Sequence, residues 1–242
     1  MSREIPARRP TICVFCGSSH GADPYFTDVA RRFGNLMAKE GFDLVFGGGG
    51  VGLMGEVATA VHKNGGKVLG IIPSFLRHLE PPLAISSQIV ITESMNERKA
   101  RMFAAADAFA VLPGGIGTLD EFAEALTGAQ LQLHAKPIVL VNAKDYFAPL
   151  VQLIDHFIGH GFAGAGLKEL FQVVQTVEEA ISFLIAERAR NAAQPAAYRN
   201  PPSGSPGLRR GHHLPRKNGG GKRYARVSVF LPRVRGRCRA RI

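Results

Sequence analysis

The sequence predicts a doubly wound, Rossmann-like α/β domain, a mostly parallel sheet of about seven strands with helices on both faces. Three observations lead there. Short apolar runs alternate with helical stretches along residues 11–190. The runs are rich in Val and Ile without clear alternation, as in a parallel sheet buried on both faces with helices as crossovers. Glycine-bearing turns follow several of the runs, where such domains bind ligands beyond the carboxyl ends of their strands. Right-handed crossovers place the helices on both sides of the sheet.

The elements follow in order. Thr11–Cys16 reads as the first strand, and Asp23–Glu40 as a helix with Phe26, Val29, Ala30, Phe33, Leu36 and Met37 at helical spacing. Asp43–Phe46 is the second strand, Leu53–Lys63 the next helix, and Lys67–Ile72 a third strand stopped by Pro73. Gln88–Ile91 precedes a helix from Met95 to Ala106. Ala108–Leu112 precedes one from Thr118 to Leu131, and Pro137–Val141 one from Phe147 to Ile158. Phe171–Val174 is the seventh strand, and Val177–Arg190 closes the domain. No internal repeat is visible.

Charge divides the chain at the same place. The 242 residues carry a net charge of +11, yet residues 1–190 hold 17 Lys and Arg against all 19 Asp and Glu. Residues 191–242 hold 13 Lys and Arg and no acid, with Pro, Gly and Arg in abundance. Such a segment cannot bury enough apolar surface to offset its ordering entropy and is expected to be a disordered tail. Residues 1–10 are expected to be a flexible lead, and 11–190 the nucleotide-binding domain. A basic tail could engage nucleic acid or an anionic surface.

Other classes are set aside on composition. No apolar run reaches the roughly 18–20 residues of a spanning helix, and the N-terminus lacks a signal peptide's h-region and cleavage site. Three cysteines argue against a disulfide framework and fit a cytoplasmic protein. Cys13 and Cys16 form a CxxC within an apolar run, where the two positions face opposite ways, so they read as structural. No metal site is expected.

The chemistry should lie at three turns on one edge of the sheet. Gly17-Ser18-Ser19 follows the first strand, and small residues there let backbone N–H groups and hydroxyls approach an anion. Phe46 to Gly55 holds six glycines between a strand and a helix, more than a simple connection needs. It contains a formal GxGxxG, Gly50 to Gly55, but the acidic residue that would hold a dinucleotide's ribose is missing at the end of the next strand, so NAD is disfavoured. The third turn, Leu112 to Glu121, could be a capping box with Thr118 as N-cap and Glu121 reaching back. That would not explain Pro113, Gly114, Gly115 and Gly117, whereas an anion cradle with a carboxylate at its rim explains all of them. Between these turns, Arg98 and Lys99 sit at a helix start, where cations oppose the helix dipole unless an anion offsets them. A solvated face with Glu97 as counter-charge is the plainer reading of that helix alone.

Together these motifs resemble the LOG family, the cytokinin riboside 5′-monophosphate phosphoribohydrolases long labelled lysine decarboxylase-like. The resemblance rests on GGGxxGLMG at Gly47–Gly55, Met95-Asn96-Glu97-Arg98-Lys99, and PGGxGTxxE from Pro113 to Glu121, and runs from Thr11 to Arg190. It implies an N-glycosyl hydrolase that converts a nucleoside 5′-monophosphate to free base and ribose 5-phosphate, acting as a cytoplasmic homodimer without cofactor or metal. It makes Arg98 and Glu121 catalytic. It places Glu80, Lys99, Gly115, Ile116, Gly117, Thr118, Leu119, Asp120 and Thr127 around the substrate. The turns and the helix start add Gly17, Ser18, Gly48, Gly49, Gly114 and Met95. A carboxylate near C1′ suits the positive charge that develops on the ribose, and an arginine fork suits phosphate or ribose oxygens. The old label would require pyridoxal phosphate on a lysine, and nothing in the sequence marks one. Gly128, Ile116 and Asp120 depart from the family pattern and leave the preferred base open. The alternative is a non-catalytic nucleotide or molybdenum-cofactor carrier of the same fold, which has no need of Arg98 and Glu121 together.

Overall fold

A computed structural model describes residues 8–77, 83 and 87–193. Residues 1–7 of the expected lead, residues 194–242 of the expected tail and Glu80 therefore lie outside the described residues. In chain order the elements are β1 (Thr11–Phe15), α1 (Tyr25–Lys39), β2 (Asp43–Phe46), α2 (Gly52–Lys63), β3 (Val68–Pro73), β4 (Gln88–Thr92) and α3 (Met95–Ala105). They continue with β5 (Ala108–Val111), α4 (Ile116–Gln130), β6 (Ile138–Val141), α5 (Ala148–Gly159), β7 (Gln172–Val174) and α6 (Val177–Ala193). All seven strands pair in parallel in the order β4-β3-β2-β1-β5-β6-β7.

Alternate residues of each central strand serve opposite faces, as the pleat requires. Ile12, Val14, Leu44, Phe46, Ala110, Val139 and Val141 pack with α1, α2 and α6. Cys13, Phe15, Val45, Phe109, Val111 and Leu140 pack with α3, α4 and α5. Both layers are dry: Phe33, Phe46, Phe109 and Phe122 are all fully buried. Each such ring contributes about 1.5–3 kcal/mol of burial, which explains why the strands need no polar alternation. Cys13 and Cys16 fall in different layers, and burial pushes both thiols well above the usual range, with the Glu121 carboxylate adding to it. Neither can act as a thiolate there.

The chain enters β1 through two arginines. Arg8 clasps both oxygens of Asp107 at 2.7 and 2.8 Å, and Arg9 donates to the carbonyls of Ala38 and Phe42 at 2.9 and 3.2 Å. Helix α6 continues to Ala193, slightly past the expected end at Arg190. Sheet order has one functional consequence. The chain winds outward from β1 through β2, β3 and β4, then returns to β5 on the other side of β1. The crevice between the carboxyl ends of β1 and β5 is therefore the topological switch point.

Candidate active site

Three loops meet at that crevice. The Gly17 N–H donates to the Pro113 carbonyl at 3.0 Å, joining the turns after β1 and β5. The N–H groups of Met54 and Leu53, at the start of α2, donate to the carbonyls of Gly17 and Ser19 at 3.2 and 3.3 Å. The start of α2 is thus folded against the turn after β1. Two glycines are dictated by close approach. At Gly114 a Cβ would collide with Thr118 Oγ1 and lie 2.7 Å from the Gly17 nitrogen. At Gly47 it would collide with the guanidinium of Arg98.

Arg98 reaches this point from the first turn of α3. Ser94 caps that helix: its Oγ accepts from the Glu97 N–H at 3.2 Å, and Glu97 accepts from the Glu93 N–H at 2.9 Å. Helix α3 thus carries the serine half of a capping box, while the Glu97 carboxylate reaches past the cap to the N–H of the residue before it. Helix α4 starts at Ile116 with Gly115 as its N-cap, so Thr118 already lies inside the first turn, buried. The physical reason is that Gly115 takes the extended cap conformation, with φ −92° and ψ −151°, three residues earlier than the side chains suggest. Glu97 also pairs with Arg101 at 2.8 Å, and its carboxyl is held below the usual range by the Glu93 N–H first and Arg101 second.

The Arg98 side chain is buried. Its Nε donates to the Ile71 carbonyl and its Nη2 to the Gly47 carbonyl, each at 3.2 Å. These bonds compensate a desolvated cation and fix the plane of the guanidinium. The remaining Nη1 faces Met95 Sδ at 3.9 Å and Glu121 Oε1 at 3.9 Å. Glu121 is itself buried on α4, three residues beyond Thr118. At 3.9 Å the two charges attract without a short hydrogen bond between them.

Not every expected residue joins this pair. Lys99, next in sequence to Arg98, turns away and bridges α3 to α4, with Nζ 2.9 Å from Asp120 and 2.6 Å from Glu124. Those bonds, Glu124 first, raise its pKa. Gly115, Ile116 and Gly117 are exposed at the rim, Ile116 at 82%, and Gly17 is buried while Ser18 is exposed. Gly48 and Gly49 are buried in the loop after β2, with Gly48 at φ +84°. Thr127 lies about 13 Å along α4 from Thr118 at 1.5 Å per residue, on the exposed side. It lines, with Asp120, Glu124, Gly128 and Leu131, an open groove of about 1020 Å³ that runs to the amino ends of the strands.

The sequence reading passed over the loop after β6. Tyr146 Oη donates to the Gly114 carbonyl at 2.8 Å, and Lys144 pairs with Asp23 at 2.7 Å. The available signal was positional: that loop follows a parallel strand and so opens on the same edge as the glycine turns. Among the described residues, no group of three or more His, Cys, Asp or Glu could hold a metal ion.

Comparisons with known proteins bear on the family and the fold. A family profile described as possible lysine decarboxylase matches residues 54–184. A cytokinin riboside 5′-monophosphate phosphoribohydrolase of Arabidopsis thaliana is 45% identical over 159 residues, which is 66% of this chain and 73% of that protein. A probable enzyme of the same name from Oryza sativa is 39% identical over 180 residues, 74% of each chain. Among solved structures, the molybdenum cofactor binding protein of Rippkaea orientalis aligns with a TM-score of 0.59 at 25% identity, covering 75% of this chain and 99% of that one. The Moco carrier protein of Chlamydomonas reinhardtii aligns with a TM-score of 0.58 at 21% identity, over 76% and 99%, which is a likeness of fold.

Proposed function

The chain belongs to the LOG family of cytokinin riboside 5′-monophosphate phosphoribohydrolases, and from that premise we propose that the β1–β5 crevice hydrolyses the N-glycosidic bond of a nucleoside 5′-monophosphate. The observation that carries this reading is the buried Arg98–Glu121 pair, 3.9 Å apart, with Arg98 anchored on the Gly47 carbonyl of the glycine run after β2. Water adds to C1′ as the C–N bond breaks; the bonding pair leaves with the base, which takes up one of the water's protons. The ribose passes through an oxocarbenium-like state, and the Glu121 carboxylate faces that charge or orients the water. Two branches of the Arg98 guanidinium are spent on carbonyls, so its Nη1 edge is left toward Glu121 and the ligand. The Gly114–Thr118 loop and the Gly17 turn offer N–H groups and hydroxyls to the 5′-phosphate.

The family's decarboxylase description does not suit these residues. A Schiff-base lysine needs a lowered pKa at the site, whereas Lys99 is ion-paired and raised and Lys144 is paired with Asp23; burial does lower the pKa of Lys136, but that residue precedes β6 at the opposite, amino end of the sheet. A carrier of the same fold would explain the likeness to molybdenum-cofactor proteins but not a buried arginine facing a buried glutamate. A panel of nucleoside 5′-monophosphates with chromatographic detection of free base tests the reading. Release should fall at least about 1,000-fold in Glu121→Gln, which keeps the side chain's shape. Wild-type protein that retains every nucleotide intact would establish the carrier instead.

A homodimer is the proposed assembly. Helix α4 leaves Leu119, Leu131 and the following Leu133 exposed, the last two at 63% and 71%, beside the open groove. A second copy of α4 covering this stripe would bring Thr127 toward a partner's site, which suits a residue so far from its own glycine loops. For residues 191–242 the proposed partner is nucleic acid or another anionic surface, checked by salt-dependent DNA binding that ends on truncation after Ala193. Among the described residues no helix is long and apolar enough to cross a membrane, and the proposed setting is the cytoplasm.

A further inference from the structure

The loop between β6 and α5 has no part in the reaction described so far, yet its backbone is unusual. Lys144 and Asp145 both stand at positive φ, +52° and +57°, a conformation that non-glycine residues rarely adopt. Asn142 holds them there. Its Oδ1 accepts from the Phe147 N–H at 2.7 Å, its Nδ2 donates to Asp145 at 3.1 Å, and its carbonyl accepts from the Asp145 N–H at 3.0 Å. Backbone strain maintained this firmly gathers where a side chain must be aimed.

The side chain aimed here is Tyr146. Its ring packs edge-on against Phe26 at 5.3 Å and Phe147 at 5.0 Å, and Lys144 beside it pairs with Asp23 of the segment before α1. From that seat its hydroxyl donates to the Gly114 carbonyl at 2.8 Å. A trans peptide is planar, with its C=O and the following N–H pointing in opposite directions. Fixing the Gly114 carbonyl on Tyr146 therefore turns the Gly115 N–H to the other side of the loop. Gly115 is exposed, and no backbone bond among the described residues uses that N–H.

We propose that Tyr146 is a positioning residue that sets the Gly114–Gly115 peptide so that the Gly115 N–H points at the phosphate end of the ligand. This rests on the phosphoribohydrolase reading for the identity of the ligand. The test is Tyr146→Phe, which removes only the hydroxyl and keeps the ring among Phe26 and Phe147. KM for AMP and the inhibition constant of ribose 5-phosphate should both rise roughly tenfold, the scale of one hydrogen bond aimed at a charged group. Inhibition by adenine, kcat and the melting temperature should stay within twofold or two degrees of wild type, as about equal interactions predict. Unchanged ribose 5-phosphate inhibition, or equal weakening of ribose 5-phosphate and adenine, overturns the proposal. Calorimetric binding of AMP and ribose 5-phosphate separates it from its premise. A wild type that binds both without turnover refutes the hydrolase alone. Loss of affinity in Tyr146→Phe then still supports the positioning role, and a wild type that binds neither refutes both.

Discussion

Arg98→Lys tests the central geometry because it preserves charge while removing shape. In the native site the guanidinium spans two carbonyls, Ile71 through Nε and Gly47 through Nη2, and turns Nη1 toward Glu121. An ammonium places its three donors on one atom and cannot reproduce the spacing of the Nε and Nη2 bonds, so one carbonyl is expected to lose its partner. The lost bond is charge-assisted with a buried acceptor, so the cost is about 2 kcal/mol. For a domain of this size each kcal/mol lowers the melting temperature by about 2–4 °C, giving a fall of about 4–8 °C. Activity should suffer more than stability, because the group facing Glu121 no longer has a fixed position; the expected loss in kcat is roughly 100-fold. Calorimetric melts and free-adenine release from AMP measure the two effects on one preparation. A variant that keeps wild-type kcat within threefold refutes the fork as a catalytic element. One that keeps the wild-type melting temperature refutes the carbonyl bonds as its anchor.

Three other outcomes follow from the same structure. Gly114→Ala forces a methyl group against Thr118 Oγ1 and the Gly17 nitrogen, and should cost about 1–3 kcal/mol in urea unfolding together with most of the turnover; native stability with native turnover would contradict it. His134 donates from Nε2 to the Ala125 carbonyl at 3.0 Å and accepts at Nδ1 from the Lys136 N–H, a pattern that only the neutral ring can make. Burial, and then the Lys136 charge, hold its pKa below 6.5. The unfolded chain therefore binds more protons just below pH 6.5, so this contribution is complete above 6.5 and declines as pH falls through the folded pKa. Melts from pH 7.5 to 5 should show that decline in wild type and a flatter profile in His134→Gln. Leu131→Asp should shift sedimentation toward the monomer if α4 forms the proposed interface; an unchanged dimer would place the interface elsewhere.

Much of the fold was legible because local and tertiary demands coincide in a parallel sheet. A strand covered on both faces must be apolar throughout, and the crossover after it must be amphipathic, so runs such as Asp43–Phe46 and Pro137–Val141 announce themselves. Boundaries shifted where backbone geometry outranked side-chain chemistry. Helix α4 begins at Ile116 because Gly115 can cap it, whereas Thr118 looked the better cap. Glycine clusters marked the binding edge for a similar reason, since only close backbone approach explains so many of them together.

The sequence alone pointed to candidate residues: the glycine turns and the cations at the start of α3 stand out because charge and glycine at strand ends are costly without a ligand, and the family resemblance singles out Arg98 and Glu121 among them. It also located the basic charge in residues 191–242 and left residues 1–190 slightly acidic. Tertiary structure alone decided what those residues face. Arg98 and Lys99 are adjacent and equally charged, yet successive helical positions diverge by about 100°. One is therefore buried against two carbonyls and Glu121, and the other is bound to Asp120 and Glu124. Tyr146 belongs to the same class of fact: its hydroxyl meets Gly114 only because β6 lies beside β5, a neighbour relation that hydrogen bonding across the sheet creates and no local pattern encodes.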